Sequence, residues 1–291
     1  MRDLDRHNPG VCAVYFLSVS LIAMFTTDPI LLGISLLGAL CYCVFVNGVS
    51  QKTHFALILL ILIFTALNVI VSHNGVTVLF VVNDTPITFE AMIYGAVMGV
   101  SAVSVIYWFA CFSRIMTSDK LLYVLALLSP KISLIISMGL RYVPLFGDQI
   151  KKIKSSQRAL GLYGDESIAG RIKGSVRVFS VMVTWALENG IITADSMSAR
   201  GYGIKKRTHY SPFTFGFGDA VLLATVVLLA VFTLVCMGLG AFDFEIYPRI
   251  VAQNSSLLRT AGYMAYGALS FLPTIITVKE KIKWTYLKSK I

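Results

Sequence analysis

Six stretches of this chain run for 15 to 24 residues with almost no charge, and they limit what it can fold into more than anything else in it: Val11–Phe25, Ile30–Asn47, His54–Val71, Phe89–Phe112, Ala220–Gly240 and Ala261–Thr277. A helix needs about 20 predominantly apolar residues to cross the hydrocarbon core, and only structures that satisfy their own backbone hydrogen bonds survive there. The sequence therefore predicts an all-α integral membrane protein with about six spans. With 56% hydrophobic and 14% charged residues among 291, neither a disordered chain nor an ordinary soluble enzyme fits.

Arg2 and Arg6 before the first apolar run also resemble the head of a secretory signal. No small-residue cleavage pattern follows, and Thr26-Thr27-Asp28-Pro29 leads straight into the next run like a tight hairpin between spans. Residues 1–116 read as an N-terminal region of four spans. Residues 117–217 read as a cytoplasmic helical region, and 218–291 as two spans with a basic tail. Leu121–Leu140 and Val178–Met197 are apolar too, but Pro130 and Lys131 interrupt the first, and Glu188 and Asp195 the second. Such charges cost roughly 2.5 to 3.5 kcal/mol at a bilayer centre. Both stretches are expected to be long amphipathic helices at or near the cytoplasmic face.

The net charge of +10 follows the same division. With both termini inside, 23 of the 25 Lys and Arg lie on the cytoplasmic side, and only Arg249 and Arg259 lie outside. That partition sets the orientation by the positive-inside tendency and points away from nucleic acid as the reason for the excess. Cys12, Cys41, Cys43, Cys111 and Cys236 sit inside apolar runs without CxxC or metal-ligand spacing, and the four histidines are scattered, so no metal site is expected. No internal repeat of the inverted-transporter kind is visible.

Within 138–203, Met138-Gly139-Leu140-Arg141-Tyr142-Val143-Pro144 ends one apolar stretch, and a helix with a basic face is expected over Leu145–Leu162. A turn at Gly161, Gly164 and Asp165 then precedes a second helix, from Asp165-Glu166-Ser167 to Arg200, which Gly201-Tyr202-Gly203 stops. On that helix Arg177, Ser180, Thr184, Glu188 and Asp195 share a polar stripe, while Phe179, Met182, Val183 and Trp185 cover much of the rest. The stripe is read in two ways, as a face toward a polar partner or water, and as internal ion pairs that orient packed helices.

The phrase Ile192-Thr193-Ala194-Asp195-Ser196-Met197-Ser198-Ala199-Arg200-Gly201-Tyr202-Gly203 resembles the Ala-Arg-Gly signature that ends a coupling helix in the T component (EcfT/CbiQ-like family) of energy-coupling factor ABC transporters. The phrases Leu140-Arg141-Tyr142-Val143-Pro144 and Gln157-Arg158-Ala159-Leu160-Gly161 occur in family order. The resemblance implies a transmembrane scaffold of a vitamin or metal-ion importer in a prokaryotic cell membrane. Its partners would be two ABC ATPase subunits, which hold ATP and Mg, and one membrane-embedded substrate-binding S component. It implies ATPase docking at Ala199, Arg200 and Gly201 and at Ala159, Leu160 and Gly161, with Arg141, Pro144, Gln157, Arg177, Glu188 and Asp195 orienting the coupling helices. The family also carries Ala-Arg-Gly on the first coupling helix. Here leucine stands at that arginine position, and either Arg158 substitutes or the contact is apolar.

No Walker A loop occurs, and Gly170-Arg171-Ile172-Lys173-Gly174-Ser175 lacks its glycine-lysine pair and preceding strand, so this chain is expected to bind no cofactor and not to be an enzyme itself. The readings from other classes are a stand-alone secondary transporter or channel and an intramembrane enzyme. The first predicts ionisable groups or broken helices at mid-membrane, but acids are nearly missing from the six runs: Glu90 sits at the start of one and Asp219 at the start of another. The second lacks any Ser, Asp and His arrangement for catalysis.

Overall fold

A computed structural model describes residues 7–46, 50–72, 75–82, 85–161, 168–204, 213–247, 251–252 and 257–288. The order of elements is α1 (Pro9–Phe25), α2 (Pro29–Val46), α3 (Gln51–Val71), β1 (Val78–Val82), β2 (Thr85–Thr88), α4 (Phe89–Ile115), α5 (Ser118–Leu128), α6 (Pro130–Ala159), α7 (Ile168–Ala199), α8 (Phe217–Gly238), β3 (Phe244–Glu245), β4 (Val251–Ala252) and α9 (Leu257–Lys288). Five helices, α2, α3, α4, α8 and α9, are long and apolar enough to cross a membrane, and α1 is a shorter apolar helix of 17 residues. This is an all-α multi-pass membrane protein. Two short antiparallel strand pairs, β1 with β2 and β3 with β4, are additions that the apolar runs did not announce.

The chain divides into two compact units. The first comprises residues 1–124 and 213–291 and holds the six apolar helices. Its centre is α1, whose Val11, Cys12, Tyr15, Phe16, Val19 and Ile22 are buried. Tyr15 and Phe16 meet Trp108 of α4 edge-on, with ring centroids 6.1 and 6.2 Å apart. The Trp108 indole Nε1 donates to Ser35 Oγ at 3.0 Å, and Ser35 Oγ lies 2.7 Å from Ser104 Oγ, so buried polar groups tie α2 to α4. In lipid, where tails are as apolar as leucine, such hydrogen bonds and close backbone packing supply the association that water would otherwise drive. Close packing is visible on α4. A Cβ at Gly95 would fall 2.8 Å from Thr65 Cα, and one at Gly99 would fall 3.0 Å from Ile61 Cα, so α3 can approach α4 only because both positions are glycine.

Polar clusters close both ends of this bundle. At one end Asn8 caps α1 by accepting from Gly10 N, His7 Nδ1 lies 2.6 Å from Asp219 Oδ1 at the start of α8, and Asn8 Nδ2 donates to Tyr123 Oη at 3.2 Å. Asp219 also accepts from Gly216 N, closing the first turn of α8. At the other end Asp28, fully buried between α1 and α2, accepts from Arg259 Nη2 at 2.9 Å and from Tyr263 Oη at 2.5 Å. Residues 28 and 259 thus meet at one end of the bundle.

The second unit, residues 125–212, is built on α6 and α7. Pro130 opens α6 at a first-turn position where its missing amide costs nothing. The expected helix boundary at Pro144 is not observed: α6 runs for 30 residues straight through it. An interior proline forfeits one backbone hydrogen bond and costs about 3 kcal/mol in an isolated helix. Tyr142 and Phe146, on either side of it, pack toward α7 while Pro144 itself is exposed, so tertiary contacts offset the local penalty.

Candidate functional site

Helices α6 and α7 run in opposite directions. Tyr142 Oη lies 3.0 Å from Thr193 Oγ1, Phe146 meets Trp185 edge-on at 5.8 Å, and Ile153 packs with Val178 and Met182. The face that α7 turns toward α6 is the stripe of Gly174, Val178, Met182, Trp185, Asn189 and Thr193, recurring every three or four residues. Phe179 is 69% exposed and Val183 41%. The apolar residues of α7 thus divide between an inner stripe and an outward one, a division that composition alone did not reveal.

Glu188 and Asp195 are exposed and Arg177 is half-buried. Among the described residues they form no ion pair with one another. Of the two readings of that polar stripe, the geometry matches the one that faces outward. Arg141 and Pro144 are exposed on α6, whereas Gln157 is buried at 6% with no partner for its Oε1 among the described residues.

The two glycine triplets end their helices in the same way. At the end of α7, Gly201 adopts φ +80°, Tyr202 N donates to Met197 O at 2.9 Å, and Gly201 N donates to Ser198 O at 3.0 Å. This is the Schellman pattern, in which a left-handed residue after the helix lets two amides fold back onto the last carbonyls. At the end of α6, Gly161 adopts φ +70° and its amide donates to Arg158 O at 3.0 Å. In each triplet alanine is the last helical residue, glycine is the left-handed one, and the residue between them sits at the cap. Leu160 therefore occupies the position on α6 that Arg200 occupies on α7, while Arg158 lies within the final turn. Leu160 is 73% exposed, and Arg200 is exposed as well.

Because the helices are antiparallel, these two ends lie at opposite ends of the hairpin. The 32 residues of α7 separate them by about 48 Å, at 1.5 Å of rise per residue. Asp165, Glu166 and Ser167, expected to open α7, lie outside the described residues, as does Gly164; the helix itself begins at Ile168.

A family model described as CbiQ, cobalt transport protein, matches residues 2–210, which take in the first four apolar helices and the whole hairpin. The chain belongs to the CbiQ family. Curated relatives agree with that placement. The energy-coupling factor transporter transmembrane protein EcfT of Streptococcus equi subsp. equi is 26% identical over 200 residues, 65% of this chain and 72% of the relative. EcfT 1 of Listeria monocytogenes is 32% identical over 100 residues, 34% of this chain and 38% of the relative. EcfT of Limosilactobacillus fermentum is 31% identical over 103 residues, 35% of this chain and 39% of the relative. The matches to the last two thus span less than two-fifths of those relatives' length. For this CbiQ-family chain, family and membrane architecture agree: a transport family, a multi-pass helical bundle and a long amphipathic hairpin.

Proposed function

We propose that this chain is the transmembrane scaffold and coupling subunit of an energy-coupling factor importer, transmitting conformational changes of two ABC ATPases to a membrane-embedded substrate-binding subunit for vitamin or metal-ion uptake. The observation that carries this reading is the hairpin with two like-shaped, exposed helix ends about 48 Å apart. One contact at each end suits two separate ATPase subunits, each of which must be gripped by the same membrane protein. A small alanine before the cap and a glycine after it let a partner approach the helix end closely. The guanidinium of Arg200 offers five donors to a partner carboxylate or to exposed carbonyls. At the other end, the equivalent position of Leu160 favours an apolar contact over substitution by Arg158. Of the residues expected to orient the coupling helices, Gln157 is assigned that part from within their interface, and Arg141, Pro144, Arg177, Glu188 and Asp195 are assigned to the outward face, toward a partner.

In this reading ATP and Mg are held by the partners, the cargo is recognised by the substrate-binding subunit, and both termini and the hairpin are cytoplasmic in a prokaryotic cell membrane. The scaffold does no chemistry of its own. Reconstitution separates this from a self-sufficient carrier or channel. The purified chain in liposomes should give no substrate flux above protein-free vesicles, with uptake appearing only when the ATPases, the substrate-binding subunit and ATP are added. Flux of comparable size from the chain alone, without ATP, would overturn the assignment.

A further inference from the structure

Where α9 leaves its apolar run, it forms a groove with the first three turns of α8. Helix α9 is apolar from Ala261 through Val278 and then continues without a break to Lys288, carrying Lys279, Glu280, Lys281, Lys283 and Lys288 on the extension. Leu272, Ile276, Lys279, Lys283 and Leu287, spaced by three or four residues, line one side of a cleft of about 660 Å³. Gly218, Val221, Leu222 and Thr225, at the same helical spacing, line the other. The cleft is therefore graded along its length. Its α8 side and the Leu272–Ile276 end are apolar, and the far end presents two ammonium groups against the one carboxylate of Glu280, with His7 and Trp284 at the rim. Asp219, the nearby acid of α8, is engaged by His7 and by the amides of Asn8 and Gly216.

A ligand matching this gradient has a long apolar part and an anionic head, and it must meet the protein where an apolar helix face turns basic. Bilayer lipid satisfies all three requirements. Tryptophan prefers the headgroup level, and Trp284 is 43% exposed. Lysines just beyond a span attract anionic headgroups, each by roughly fivefold in affinity. We propose that this groove is a binding site for one anionic phospholipid, with its phosphate between Lys279 and Lys283 and an acyl chain along Val221, Leu222, Leu272 and Ile276. The site is independent of the docking ends, and the inference stands whatever partners the hairpin grips.

The test uses the full-length chain in nanodiscs of mixed phosphatidylglycerol and phosphatidylcholine, followed by mild detergent extraction and native mass spectrometry of retained lipid. The wild type should retain one phosphatidylglycerol in preference to phosphatidylcholine. Lys279→Gln/Lys283→Gln should lower that preference by roughly 10- to 30-fold, the loss of two such attractions. Lys281→Gln/Lys288→Gln removes as many charges from another face of the same helix and should leave the preference near that of the wild type. Val221→Trp, at a half-exposed position on the apolar side, should displace the lipid while both lysines remain. Equal losses from the two lysine pairs would reduce the effect to general surface charge and overturn the groove as a site. Equal retention of phosphatidylcholine by the wild type, or full retention by Val221→Trp, would do the same.

Discussion

Arg200→Glu should leave the chain folded in the membrane but prevent its association with ATPase subunits. The side chain sits at the cap of α7, exposed beyond the last helical turn, where folding asks little of it. As a complement to its own helix dipole it supplies only about 0.3 to 1 kcal/mol. As a hydrogen-bonded arginine buried on docking it supplies far more. Truncating one partner of such a pair costs about 2 to 5 kcal/mol, and reversing its charge costs at least that, roughly 30-fold or more in affinity. The readout is the amount of ATPase retained when the tagged variant and wild type are purified side by side, with thermal unfolding measured on each. Loss of ATPase with unchanged unfolding is the expected outcome. Normal retention with a slightly lower unfolding midpoint would assign Arg200 to its own helix and remove it from the docking surface.

Replacing Asp28 alone should destabilise the bundle more than any single change on the hairpin. Its carboxylate is fully buried, and the side chain of its partner Arg259 is 9% exposed. Removing one member of a buried ion pair leaves the other uncompensated and typically costs about 3 to 5 kcal/mol. Here the guanidinium would be stranded at the mouth of α9, and the Tyr263 hydroxyl would lose its acceptor too. Asp28→Ala and Arg259→Ala should each show that loss in chemical unfolding in mixed micelles. Asp28→Val/Arg259→Met, which removes both charges at nearly constant volume, should recover most of it, because apolar replacement of a whole buried pair is often close to neutral. Single-variant losses below about 1 kcal/mol would mean that water reaches the pair, which would then not be the clamp joining α9 to the α1–α2 turn.

The spans were the most legible part of this molecule, because apolar run length is a direct reading of bilayer thickness. The expected Ile30–Asn47 is Pro29–Val46, and Val11–Phe25 begins only two residues earlier, at Pro9. Charge ends a span without ending a helix. Thus α9 continues to Lys288, past the expected end at Thr277, since lysine is a good helix former once outside the hydrocarbon. Pro144 misled for a related reason: local rules place a boundary there, and the packing of Tyr142 and Phe146 overrides them. On α7, periodicity marked a polar stripe but not which apolar stripe faces α6, since Phe179 and Met182 are equally hydrophobic and differ only in what lies opposite. The Asp28–Arg259 pair left a trace in the sequence: both fall in segments assigned to one side of the membrane, although charge counting could not say that they touch. The likeness of Leu160 to Arg200 was legible in the two Ala-x-Gly triplets; the backbone adds that each middle residue is the cap before a left-handed glycine.

A subunit that holds ATPases and a membrane partner together should bring them along when it is purified. Gentle extraction of the tagged chain from its native membrane, followed by mass spectrometry of everything that co-purifies, should recover two nucleotide-binding subunits and one small membrane protein per chain, the last of which would indicate the cargo. Reproducible isolation of the chain by itself, active in transport without ATP, would contradict that role.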